Sequence, residues 1–114
     1  MIAFRTFLIA YFLCLLLYTG IVILNHGMNL LPIFFGDMLA LTWPGQFNFD
    51  FMGFLALSAL WTAWRHQFSR GGLALALVAF FGGMAFLAPY LLVVSQQAKG
   101  NIKEILMGPG RLSV

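Results

Sequence analysis

Asp50 is the side chain best placed to do chemistry in this 114-residue chain. It sits near the start of an apolar segment, and Ser58 and Thr62 follow it at helical spacing, two and three turns on. A carboxylate inside a membrane span is costly to desolvate and is a functional candidate by default. It could take up a proton, hold a cation or pair with a basic group. Asp50, Ser58 and Thr62 therefore form the candidate ion or proton site, with the two hydroxyls as its lining. A structural reading stands beside it. If Asn48 caps the helix, Asp50 falls in the first turn, where free backbone N–H groups and the helix dipole favour a carboxylate. Hydroxyls in apolar helices commonly bond to their own helix or to a neighbour.

No other set of residues offers a reaction. Cys14 is the only cysteine, so no disulfide can form within the chain and no cysteine-based metal cluster can be built. His26 and His66 lie in separate loops and cannot share a metal. There is no histidine pair at helical spacing, no CxxC, no phosphate-binding loop and no convergent nucleophile and base. The expectation is a protein that is not an enzyme and holds no cofactor and no metal.

The elements that carry these residues are membrane-like. Of all residues 62% are hydrophobic and 8% charged, where a soluble domain carries about 25% charged residues. Leu73 to Val94 contains no charge at all. As a helix it is about 33 Å long, enough for the ~30 Å hydrocarbon core of a bilayer. A similar run from Thr6 to Leu24 ends at Asn25-His26-Gly27 without a small-x-small cleavage site, so it reads as an uncleaved first span. A third run opens at Phe47.

The fold expected is all-α: one membrane domain over 1–114, with spans at about 6–24, 47–64 and 73–95. An interfacial helix at about 28–42 follows the first span. Its Leu30, Leu31, Phe34, Phe35, Met38 and Leu41 recur at spacings of three and four, which suits a helix lying in the headgroup layer. Trp43-Pro44-Gly45 then reads as a turn. A surface tail, 96–114, carries a short helical segment near Asn101 to Met107 and a frayed end after Gly108-Pro109-Gly110.

The net charge of +3 comes from basic residues scattered at the edges of apolar runs. That pattern anchors spans against anionic lipid and gives no nucleic-acid surface. Trp43, Trp61, Trp64 and Arg65 are the expected interface anchors. Arg5, Arg65 and Arg70 put the N-terminus and the 65–72 turn inside. Three continuous spans then leave the tail outside with Lys99, Lys103 and Arg111, against the same rule.

Small residues offer packing faces: Gly53 on the second span, and Ala79, Gly82 and Gly83 on the third. They could serve packing within the chain or association with another. Pro89 removes a backbone donor and is the expected kink.

Asn25-His26-Gly27-Met28-Asn29-Leu30, Phe47 with Asp50, Ser58-Ala59-Leu60-Trp61, and Gly83 with Phe86, Pro89 and Leu91 carry a resemblance. Over roughly 26–99 the chain resembles a family of small bacterial three-span membrane proteins known as a domain of unknown function. The resemblance implies three spans in a bacterial inner membrane and implies no activity. The functional expectation is an interaction or accessory subunit in the lipid bilayer, packing into a homo-oligomer or larger membrane complex. The alternative is a proton- or cation-coupled transporter or channel subunit that works as an oligomer.

Overall fold

The computed structural model describes residues 1–109. These form six helices: α1 (Ile2–His26), α2 (Leu30–Leu39), α3 (Trp43–Arg65), α4 (Arg70–Gly82), α5 (Met84–Gln97) and α6 (Ile102–Met107). The all-helical class expected from the sequence is the one observed. By length and composition together, α1 alone is suited to cross a membrane. α3 has the length, at 23 residues, but carries Gln46, Asn48 and Asp50 in its first half. α4 and α5 are 13 and 14 residues.

Local chemistry sets the boundaries. α1 stops at Gly27, whose N–H donates to the Ile23 carbonyl at 2.7 Å. α2 follows where the interfacial segment was expected. α3 starts earlier than expected: Trp43-Pro44-Gly45 is its first turn and not a connecting turn. Proline suits the first turn of a helix, where its missing N–H costs nothing. The actual turn is one step back, at Leu41, with φ of 57°. Thr42 takes the N-cap position, so Asn48 is no cap; its Nδ2 donates across to the Phe34 carbonyl of α2 at 3.1 Å. Asp50 therefore lies about two turns inside α3 and not in its first turn.

The largest correction concerns the segment 73–95, which is not one helix. It is parts of two, α4 and α5, that reverse direction at Gly83. Gly83 has φ 54° and ψ −133°, backbone that only glycine enters without strain. Its neighbours are the side chains of Phe51 and Leu55 on α3. Seven residues later Tyr90 touches Trp61, Arg65 and His66. Along α5 the partners thus climb α3 back toward its C-terminus, whereas along α4 they descend it. Pro89 sits within α5, six residues beyond the break, so the glycine pair and not the proline interrupts the run.

α4 packs antiparallel on α3, and α5 packs antiparallel on the first half of α1. Met1 meets Gly100 and Arg5 meets Ser95. The N-terminus, the 66–69 turn, the end of α5 and α6 consequently share one end of a body 48 Å long. The small core lies there: Val94, Ala98 and Ile105, with Tyr90 and Leu91 against them. Beyond Leu8, no residue of α1 is buried. The accessible surface is 8062 Å². A compact soluble protein of this mass exposes about 6,200 Å².

Candidate functional site

The last turn of α3 carries the most connected polar side chains in the molecule. Arg65 is 6% exposed. Its Nε donates to the Ile105 carbonyl at 2.7 Å and its Nη2 to the Glu104 carbonyl at 3.3 Å. Its Nη1 donates to the Tyr90 hydroxyl at 3.3 Å. One turn earlier, Trp61 Nε1 donates to the Leu106 carbonyl at 2.9 Å. The acceptors are carbonyls at the C-terminal end of α6, where the helix dipole favours a cation; the Glu104 carbonyl also takes the Gly108 N–H. Arginine suits this place because its planar fork can reach several acceptors at once.

Gly108 makes the approach possible. It has φ of 84°, and a Cβ there would stand 2.8 Å from the Arg65 carbonyl oxygen. The chain can leave α6 hard against α3 only with glycine at this position.

Tyr90 joins this clamp to the 66–69 turn. Its hydroxyl lies 2.6 Å from His66 Nε2. A guanidinium only donates, so the Tyr90 oxygen accepts from Arg65; its own proton is free to go to His66 Nε2 when that nitrogen carries no hydrogen. Burial, and then the neighbouring Arg65 charge, hold the His66 pKa below the ordinary histidine value. A neutral ring with its Nε2 lone pair free can accept the Tyr90 proton. The Tyr90 ring is packed edge-on to Trp61, with centroids 5.9 Å apart, and stacked on Phe86 at 5.1 Å.

A second tie fixes α1. Arg5 Nε donates to Ser95 Oγ at 3.1 Å, and its Nη2 to the Ser95 carbonyl at 3.0 Å. Ser95 Oγ donates in turn to the Leu92 carbonyl at 2.8 Å. Chemically the two clusters are fasteners. Each donor nitrogen of Arg65 and Trp61 has an acceptor, and these acceptors are backbone carbonyls or the Tyr90 hydroxyl. Among the described residues no three His, Cys, Asp or Glu side chains come together as a metal site.

The residues proposed as an ion track are divided. Thr62 is fully buried, and its hydroxyl donates to the Ser58 carbonyl at 2.8 Å, within its own helix. Ser58 Oγ is buried with no hydrogen-bond partner. Asp50 is exposed, about 12 Å further along the α3 axis by helical rise. It opens on a different groove, about 720 Å³ between α2 and α3, with Thr42 and Gln46.

Of the packing glycines, Gly53 has open space around it, whereas Ala79 is fully buried and Gly83 makes the break. A Cβ on Gly82 would meet Phe86 Cβ at 2.9 Å, so this residue serves the reversal as well. Trp61 and Arg65 are committed to α6. Trp43 and Trp64 are 74% and 38% exposed.

Sequence reading singled out neither Tyr90 nor the Arg5–Ser95 pair. The available signal was a polar tip inside an otherwise carbon-only run at Tyr90. Their partners lie 24 to 90 positions away, mostly as backbone carbonyls or single hydroxyls, which leave no local motif.

No family model, no curated protein and no solved structure matches the chain.

Proposed function

We propose that the chain is a small multi-span membrane protein, without enzymatic activity, that serves as an interaction or accessory subunit. The observation that carries this reading is the contrast between a firmly tied end and a long unpartnered one. From Leu13 to Leu24 most large apolar side chains of α1 are exposed, and α2 has no buried residue. Lipid and the helices of another chain are the two surroundings that suit such a surface.

In this reading α1 and α3 cross the bilayer, and α4–α5 enters from one side and returns to it. Arg5, Arg65, Arg70, Lys99 and Lys103 then share a single side, which fits the preference of basic residues for the inner face. The tail moves inside, and the charge conflict of three continuous spans disappears. With the family resemblance, the membrane is a bacterial inner membrane. The half-way reversal of the backbone is of a kind tolerated at membrane depth where protein covers it, and a partner subunit would supply that cover.

Two experiments test this. In a Cys14→Ser background, single cysteines at His26, Ser69 and Gln97 are labelled with an impermeant maleimide. Positions 69 and 97 should label from the inner side and 26 from the outer; 97 labelling with 26 overturns the returning hairpin. Purification in a mild detergent then reads the mass of the particle and what travels with it. A stoichiometric foreign subunit or a discrete homo-oligomer supports the reading, and a lone monomer counts against it.

One observation favours the transporter or channel alternative. A helix interrupted at mid-depth is a device of ion- and solute-binding sites. It weighs less because Asp50 and the Gly83 break open on separate grooves. Proton or cation flux in liposomes, abolished by Asp50→Asn, would reverse the ranking.

A further inference from the structure

A groove of about 740 Å³ runs between α1, α3, α5 and α6 at the basic end. Its volume lies within the roughly 300–1,000 Å³ of small-ligand sites. Its wall is almost entirely carbon: Phe4, Trp61, Leu87, Leu91, Ile102 and Leu106. α6 forms one side of it. That helix is only six residues long and keeps its place through Arg65 and Trp61, so the groove is built by the clamp.

The charge around the groove decides what it suits. Arg5 is spent on Ser95 and Arg65 on α6. Arg70 opens α4, which contributes nothing to the groove. Among the described residues Lys99 and Lys103 remain, with the Glu104 carboxylate as the one opposing charge on α6. Both lysines are exposed, and in the chain they bracket the start of α6, on either side of the Ile102 that lines the groove. An apolar slot with two lysines flanking one end, and a net positive charge there, is complementary to an amphiphile with a hydrocarbon chain and an anionic head.

We propose that this groove is a binding site for one anionic phospholipid, with an acyl chain along Leu87, Leu91 and Trp61 and its phosphate at Lys99 and Lys103. The site rests on the membrane reading above. It goes beyond that reading by giving α6 a purpose: the clamp holds a wall of a lipid site in the inner leaflet.

Trp61 lies in the groove and Trp43 at the far end, which provides probe and control. Two variants are reconstituted in bilayers, Trp43→Phe with Trp64→Phe, and Trp61→Phe with Trp64→Phe. Phosphatidylglycerol or phosphatidylcholine brominated on the acyl chain is then titrated in. Brominated phosphatidylglycerol should quench Trp61 at a mole fraction about tenfold lower than brominated phosphatidylcholine, the discrimination two basic side chains near the surface can supply. Lys99→Glu with Lys103→Glu should erase that preference, and Trp43 should show none. Equal quenching of Trp61 by both lipids, with Trp43 also quenched, overturns the site and leaves the membrane reading standing. No quenching of either tryptophan overturns both. If the tryptophan variants do not fold, native mass spectrometry of the unaltered chain gives the same decision. One phosphatidylglycerol should stay bound at energies that strip phosphatidylcholine, and loss of both lipids together would count against the site.

Discussion

The two ends of this molecule are built from similar helices and held by different forces. At the basic end, Arg65, Trp61, Tyr90, His66, Arg5 and Ser95 tie α1, α3, α5 and α6 together through directed hydrogen bonds over a small core. At the far end, α2 lies on α3 through the close backbone approach of the buried Gly45 to Asp37 and Met38 and through one side-chain bond, Asn48 to Phe34, and the second half of α1 is largely exposed. The difference follows from what a lipid solvent rewards. Hydrocarbon gives no hydrophobic push between helices, so an end that must keep its shape uses hydrogen bonds and close packing. An end that meets lipid or a partner needs only an apolar surface.

The comparison is broken most sharply at Arg65. Replacing it with alanine leaves the Ile105 carbonyl without a donor, whereas the Glu104 carbonyl keeps the Gly108 N–H and the Tyr90 hydroxyl keeps His66. An orphaned buried carbonyl costs about 1–3 kcal/mol and the lost packing of a buried side chain adds to it, so a net loss of about 3 kcal/mol is expected, with α6 released. Thermal unfolding in detergent reads the loss. Arg65→Lys should recover only part of it, because an ammonium lacks the planar fork. Equal stability of Arg65→Ala and the unaltered chain would show that the clamp is ornamental.

Gly83 comes next. Alanine there must adopt a positive φ with strongly negative ψ, a strain of order 1–3 kcal/mol. The space itself is adequate, since Phe51 and Leu55 stand 3.4 Å from a Cβ. The cost is therefore in the backbone, and Gly83→Leu should be worse than Gly83→Ala by the added crowding. If Gly83→Ala is instead stabilising, the reversal at this residue is wrong and the run is one helix.

This is also where sequence reading reached its limit. The end of α1 at Gly27, a helix at α2 and the short helix α6 were legible, because each is decided by neighbours in the chain. Asn101 Oδ1 accepts from Glu104 N–H at 3.2 Å, the ordinary capping pattern. The Gly82-Gly83 pair was visible but ambiguous, because an apolar run tolerates glycine in a helix. What selects the reversal is the tertiary fit of Tyr90 against Trp61 and His66, which no local pattern encodes. The start of α3 was misplaced for a similar reason: Pro44 can open a helix as well as make a turn, and the packing of α2 decides between them. The clamp escaped because Arg65 bonds backbone carbonyls some 40 residues away.

A smaller effect sharpens the contrast through pH. Tyr90→Phe removes the bond to His66 and the acceptor of Arg65 Nη1, at about 1 kcal/mol. The His66 pKa is lowered on folding, so the unfolded chain binds the extra proton more readily. Its contribution is present above the unfolded value of about 6.5 and is lost as pH falls through the lowered folded one. Melting temperature should therefore drop below about pH 6.5, and His66→Gln should flatten that drop. Destabilisation as pH rises through the same window would contradict the neutral acceptor.

Asp50→Asn should do least. The side chain is exposed at the far end, lies outside the clamp and accepts no hydrogen bond among the described residues. Substitutions in such places change stability by no more than about 0.5 kcal/mol. The same variant separates the two functional readings, because an accessory subunit should keep its partner or its oligomer with asparagine at 50. Particle mass in mild detergent should thus be unchanged by Asp50→Asn and disturbed by Gly83→Leu. The opposite order would move the working part of the molecule from the tied end to the open one, and would make the carboxylate, not the clamp, the feature around which this chain is built.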